Sequence, residues 1–127
     1  MRVLVIEPMH KPDERKIDGS LKTMQNIVGG YIQAIYPFDD PVALVCNDDG
    51  KLLELPANRA LRDAEGQIYD ILHGTFFLCG ASVDSDHFTD LTPEQIERYR
   101  KWFWTPEMFL YMDGRIVCLQ LEVNDES

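Results

Sequence analysis

Asn58 and Arg59 place an amide beside a guanidinium inside Pro56 to Gly66, a polar, turn-rich stretch that reads as a loop. Arginine suits planar recognition of phosphate or carboxylate, and loops held by strands are where binding residues concentrate. Together with Arg62, Tyr69, His73 and Thr75, these two residues form a candidate ligand-binding set for a nucleotide-like molecule. The plainer alternative is that Asn58 satisfies backbone groups in a turn while Arg59 pairs with one of many carboxylates. Asp70 and His73 suggest a small enzyme with an acid–base pair. That reading needs a bulge at His73-Gly74, because positions three apart on a regular strand point to opposite faces. No serine or cysteine occupies a nucleophile-elbow context, so no catalytic residue is assigned.

Asp84, Asp86, Asp90, Glu94 and Glu97 are five acids with no base before Arg98. They read either as a solvated loop whose acids favour the next helix N-terminus, or as a negative partner-binding face. In the second reading the face, with Phe88 exposed beside it, imitates a phosphate backbone toward a basic protein. Asp84-Ser85-Asp86-His87 resembles a metal loop, but an EF-hand needs Gly at its sixth position and Glu at its twelfth. Thr89 and Gln95 stand there instead, and His87 has no Cys or His partner nearby for zinc. No metal is expected. No phosphate-cradling motif is present either, so no cofactor is expected. Trp102, Phe103 and Trp104 are consecutive aromatics, and the two tryptophans cannot both face the core as Phe103 does. One of them is expected to be partly exposed, or covered by the C-terminal hairpin or a second subunit, with a homodimer contact favoured.

The elements that must position these groups follow from periodicity. Arg2 to Ile6 is a continuous apolar run, the pattern of a buried strand, and Arg15 to Ile17 reads as a short second one. Leu21, Met24, Ile27 and Val28 mark one helical face, with Ser20 as cap and Gly29-Gly30 as stop. Tyr31 to Tyr36 and Val42 to Asn47 are strands, and Asp49-Gly50 signals a two-residue hairpin into a strand at Lys51 to Leu55. Ile68 to Cys79 reads as one long strand. A second helix starts at Thr92, where Pro93, Gln95, Leu91 and Ile96 complete a capping box and a hydrophobic staple. Met108–Met112 and Arg115–Val123 form a C-terminal hairpin around Asp113-Gly114, followed by a frayed NDES tail. The expectation is a single α+β domain over residues 1–127: a mainly antiparallel, twisted meander with two helices covering one face.

The chain has 127 residues and a net charge of −10, with 45% hydrophobic residues. That content excludes a disordered acidic tail, and the charge argues against direct nucleic-acid binding. No segment is long enough to cross a membrane, and Met1 to Glu7 is too short for a signal-peptide core. Cys46, Cys79 and Cys118 each sit in apolar runs and read as buried, reduced thiols, so a cytoplasmic location is expected.

The blocks MRVLVIEP, YIQAIYPFDD, PANRAL, IYDI, GTFF and DLTPEQIERY occur in that order. In them the chain resembles a domain family of unknown function found mainly in Gram-positive bacteria, their conjugative elements and their phages. The resemblance covers Met1 to about Trp104, leaving the hairpin of residues 106–123 beyond it. It implies a phage or mobile-element accessory protein and brings no catalytic residues with it. The leading expectation is therefore a non-enzymatic, acidic protein that binds a protein partner.

Overall fold

Arg2–Ile6 forms strand β1, and its side chains alternate between two separate cores. Val3 and Val5 face one core, Leu4 and Ile6 the other. This is the side-chain alternation of a strand covered on both faces. The computed structural model describes residues 1–121. Glu122, Val123 and the NDES tail lie outside the described residues.

β1 sits in a five-stranded antiparallel sheet of order β2-β1-β7-β4-β3, where β2 is Asp13–Lys16, β3 Ile32–Ile35, β4 Val42–Asn47 and β7 Phe76–Gly80. Helix α1, Leu21–Val28, lays Met24 and Val28 over Val3, Val5, Ala43, Val45, Phe77 and Cys79. Helix α2, Pro93–Trp102, lays Ile96 and Tyr99 over Leu4, Ile6, Leu44, Phe76 and Leu78. Strands β5, Ala57–Arg62, and β6, Ile68–His73, form a separate antiparallel pair that adds Leu61 and Leu72 to this second core. Strands β8, Glu107–Met112, and β9, Arg115–Gln120, are a further hairpin.

The α+β class holds, with one domain and, among the described residues, two helices and antiparallel sheets. Its arrangement differs from the expected meander in two ways. The helices lie on opposite faces of the sheet, because both parities of β1, β4 and β7 are apolar and each needs cover. The central strand β7 is inserted between β1 and β4, as befits a strand whose residues are all buried.

Three local expectations are also corrected. Lys51 to Leu55 forms consecutive turns rather than a strand, since β3 and β7 already occupy both sides of β4. Ile68 to Cys79 is two strands in two sheets. Gly74, at φ +81°, turns the chain from one into the other, and Leu55 packs where a side chain would stand. Pro56 to Gly66 is largely strand β5, with the turn confined to its end. Both helices start where the caps predict: Ser20 Oγ accepts from Thr23 N–H at 3.2 Å, and Thr92 and Gln95 form the capping box.

Gly80, at the end of β7, bridges Thr89 through paired backbone hydrogen bonds of 2.8 and 2.9 Å. A Cβ at position 80 would come within 2.5 Å of Thr89 Oγ1 and against the Asp90 carbonyl. Gly80→Ala is therefore expected to destabilise the protein by about 2 kcal/mol, read as a lowered midpoint in urea denaturation. An unchanged midpoint would show that the segment 89–90 yields freely.

Candidate functional site

β5 and the Gly74 corner bury Asn58 and Arg59 almost completely, at 0% and 1% exposure. Asn58 Nδ2 donates to the carbonyls of Ile6 and Gly74 at 2.9 and 2.8 Å. Its Oδ1 accepts from Arg59 Nη1 at 2.9 Å. Arg59 Nε and Nη2 both donate to the Phe103 carbonyl, at 3.1 and 3.0 Å, and Nη2 also reaches the His10 carbonyl at 2.6 Å. Phe103 caps the C-terminus of α2, where the negative end of the helix dipole favours a cation. Burial pulls the Arg59 pKa down to about 10, against a smaller opposing pull from Glu107, and the group stays cationic at neutral pH. The pair is thus a polar bolt in the interior joining β5, the end of α2 and the loop after β1.

The other expected ligand residues are scattered. Arg62 and Tyr69 share a cleft of about 590 Å³ with Trp102, Asp40, Asp63 and Arg98. There Asp40 accepts from Arg98 and, at 3.0 Å, from Tyr99 Oη. Tyr99 is pushed up to about 12 by burial and by that bond. His73 Nδ1 lies 2.9 Å from the Leu55 carbonyl, while Asp70 accepts from Lys51 Nζ at 2.6 Å. The two side chains of the supposed acid–base pair are therefore spent on different partners. Thr75 lies between β6 and β7, partly buried.

Arg62 is claimed by a second interior cluster. Glu107, 4% exposed, accepts from Arg62 Nη2 at 2.6 Å and Nη1 at 3.2 Å, from Ala60 N–H at 3.2 Å, and from Cys118 Sγ–H at 2.6 Å. Burial alone would raise the Glu107 pKa, but these four donors outweigh it and the net shift is downward. Burial and the bond to Glu107 push Cys118 up to about 11. Cys46 and Cys79 are buried free thiols, raised to about 11 and about 12 by desolvation. Cys118, expected as a third buried apolar thiol, is instead only partly buried and bonded to polar groups.

The acids of the expected negative face are mostly engaged. Asp90 accepts from Arg2 N–H at 2.8 Å and lies 4.0 Å from the N-terminal ammonium, and Glu97 pairs with Lys101 at 3.4 Å. Asp86 lies 3.1 Å from His87 Nδ1, which holds its carboxyl below the usual range. Asp84 and Glu94 are exposed, while Phe88, expected to be exposed, packs partly against the first core. Among the described residues no three His, Cys, Asp or Glu side chains converge on a metal position.

Trp102 and Trp104 both keep exposed rings, 58% and 39%, in different clefts. Trp104 forms one wall of a cleft of about 610 Å³ between α2 and the β1–β2 pair, with Arg2, Glu14, Ile96, Arg100 and Lys101. Lys11 Nζ lies 4.4 Å from the centre of its ring. This cationic cleft is absent from the sequence reading. Its signal was the cluster Arg98, Arg100 and Lys101 beside two tryptophans in an otherwise acidic chain.

The C-terminal hairpin offers a different chemistry. By register and alternation, Met108, Leu110, Val117 and Leu119 share one face, opposite the face on which Glu107 and Cys118 bind β5. Met108, Leu110 and Leu119 are exposed, and so are Met112 and Tyr111 toward the hairpin tip.

Residues 1–104 match the family model described as Domain of unknown function (DUF3846). No curated protein and no solved structure matches. Every residue lining the Trp104 cleft falls inside the matched span, and the whole β8–β9 hairpin falls beyond it. None of the helices described is long and apolar enough to cross a membrane.

Proposed function

The chain belongs to the DUF3846 family, whose description assigns no activity, and from that premise we propose a non-enzymatic accessory protein that acts by binding another protein. The observation that carries this reading is the exposed apolar face of the β8–β9 hairpin, where Met108, Leu110 and Leu119 are exposed around a partly buried Val117. A rimmed apolar patch of this kind marks an interaction surface in soluble proteins. Its opposite face is clamped to β5 through Glu107, so the patch is presented outward from a fixed element.

The occupant favoured by charge is a basic protein. The chain carries −10 overall, and three acids, Glu122, Asp125 and Glu126, follow the hairpin in sequence. A second copy would bring like charge to the same surface. An origin in a phage or mobile element, and a counter-defence or nucleic-acid-mimic role, rest on the family resemblance and on Asp84 and Glu94, the exposed remainder of the acidic stretch.

The test is affinity capture from a bacterial extract with the wild-type protein and a Leu110→Ser/Leu119→Ser variant, at low and high salt, beside sedimentation of each. The expected result is recovery of basic proteins by the wild type, lost in the variant and falling steeply with salt, while both melt at the same temperature. Equal recovery by both proteins, or nothing basic at low salt, would overturn the reading. So would a wild-type dimer that the variant abolishes, which would assign the face to self-association instead.

A further inference from the structure

The Trp104 cleft is built unlike the rest of the surface. In a chain where 22 acids face 12 Lys and Arg, its walls gather Arg2, Arg100 and Lys101 against Glu14 and Glu97, and Lys11 adds a further cation over Trp104. Glu97 is engaged by Lys101 at 3.4 Å, which leaves Glu14 between two guanidiniums. Glu14 lies 3.5 Å from Arg2 Nε and 3.6 Å from Arg100 Nη2, longer than a charge-assisted hydrogen bond. The Nε atoms of Arg2 and Arg100 are both buried with no hydrogen-bond partner. Neither Nε is open to solvent, but both side chains stay at least a third exposed at the cleft.

Beside these donors stands an aromatic wall. Trp104 is more than a third exposed, and Pro93 and Ile96 continue the apolar side. The volume, about 610 Å³, falls within the roughly 300–1,000 Å³ typical of small-molecule sites. An anion held by guanidiniums next to a ring held by an indole is the signature of one ligand class. We propose that this cleft binds a mononucleotide, its phosphate on Arg2 and Arg100 and its base against Trp104.

A single phosphate is favoured over a nucleic-acid strand for electrostatic reasons. A strand must extend past the cleft over a chain of net charge −10, whereas a mononucleotide meets only the cleft's own Arg2, Arg100, Lys101, Glu14 and Glu97, since distant acids are screened beyond about 8 Å at physiological salt. The cleft's rim is also set from behind. Arg59 binds the carbonyls of His10 and Phe103, the residues immediately before Lys11 and Trp104. The indole and the ammonium over it are therefore held by a common buried anchor. This proposal rests on residues within the family-matched span and is independent of the hairpin.

The experiment is isothermal titration calorimetry of the purified protein with the four 5′-ribonucleoside monophosphates, with adenosine alone and with inorganic phosphate. At least one monophosphate is expected to bind about tenfold more tightly than adenosine or phosphate, because stacking and charge pairing then act together. Arg100→Gln should weaken the monophosphate about tenfold and leave adenosine unchanged, while Trp104→Leu should weaken both by about that factor. Trp102→Leu, in the neighbouring cleft, should change neither, and melting curves establish that each variant is folded. Absence of binding by every monophosphate at millimolar concentration would overturn the proposal. So would a monophosphate no tighter than phosphate, or affinity indifferent to both Arg100→Gln and Trp104→Leu.

Discussion

An Arg59→Ala protein is expected to lose about 4 kcal/mol of unfolding free energy, and with it roughly 15 °C of melting temperature. The side chain is fully enclosed and donates to four different acceptors: Phe103 O, His10 O, Asn58 O and Asn58 Oδ1. Removing it strands those acceptors away from water, and each unsatisfied group costs about 1–3 kcal/mol. It also vacates the volume of a large side chain inside a packed interior. Arg59→Lys separates charge from geometry. An ammonium keeps the charge but cannot reproduce a planar fork that meets one carbonyl twice and three other acceptors besides, so less than half of the loss should be recovered. Guanidinium denaturation of the three proteins measures this directly. A loss below about 1 kcal/mol for Arg59→Ala would mean that water reaches those carbonyls, and the interior-bolt account would fail.

The second large effect is local. Glu107→Ala is expected to cost about 3 kcal/mol, because it deletes one partner of a largely buried ion pair and leaves the Ala60 N–H unmatched. The loss should appear mainly in residues 107–120, since a two-stranded hairpin is marginal by itself. Hydrogen exchange should show the amides of β8 and β9 losing protection while β1, β4 and β7 keep theirs. Uniform loss across all strands, or none, would contradict the clamp. Acid reproduces the effect in the wild type. The Glu107 carboxyl is held below its ordinary value of 4.5, so its contribution is complete above that pH and is lost as pH falls through the lower folded value. Protection of the hairpin amides should therefore drop in that acidic window, and Glu107→Ala should remove this pH dependence.

How legible these features were depends on whether their cause was local. The Thr92 capping box, the Ser20 cap and the Asp113-Gly114 turn act within a few residues and were readable from spacing alone. The Asn58–Arg59 pair was not, because its partners lie 16, 44, 49 and 52 residues away. A polar dipeptide next to Pro56 favours a loop until tertiary contacts are supplied. The turn that does exist is at Asp63, whose carboxylate accepts from the N–H groups of Glu65 and Gln67. That signal, with Ala57, Ala60 and Leu61 before it, pointed to a hairpin into β6. The Trp104 cleft was illegible for a different reason, since it joins residue 2 to residue 104 across β1. The opposite placement of the helices was latent in the double apolar parity of Arg2 to Ile6, which demands cover on both sides.

The bond from the Ala60 N–H to Glu107 Oε1 has a further consequence. Among the described residues β5 pairs with β6 alone, so its far side is a sheet edge with backbone groups of the kind another chain can pair with. A carboxylate from β8 occupies the Ala60 donor there, and the hairpin stands over that edge. A chain ending before residue 107 would expose that edge, a template on which neighbouring molecules add strand to strand and precipitate. The segment beyond the family-matched span thus covers a strand edge that the matched span alone would leave open.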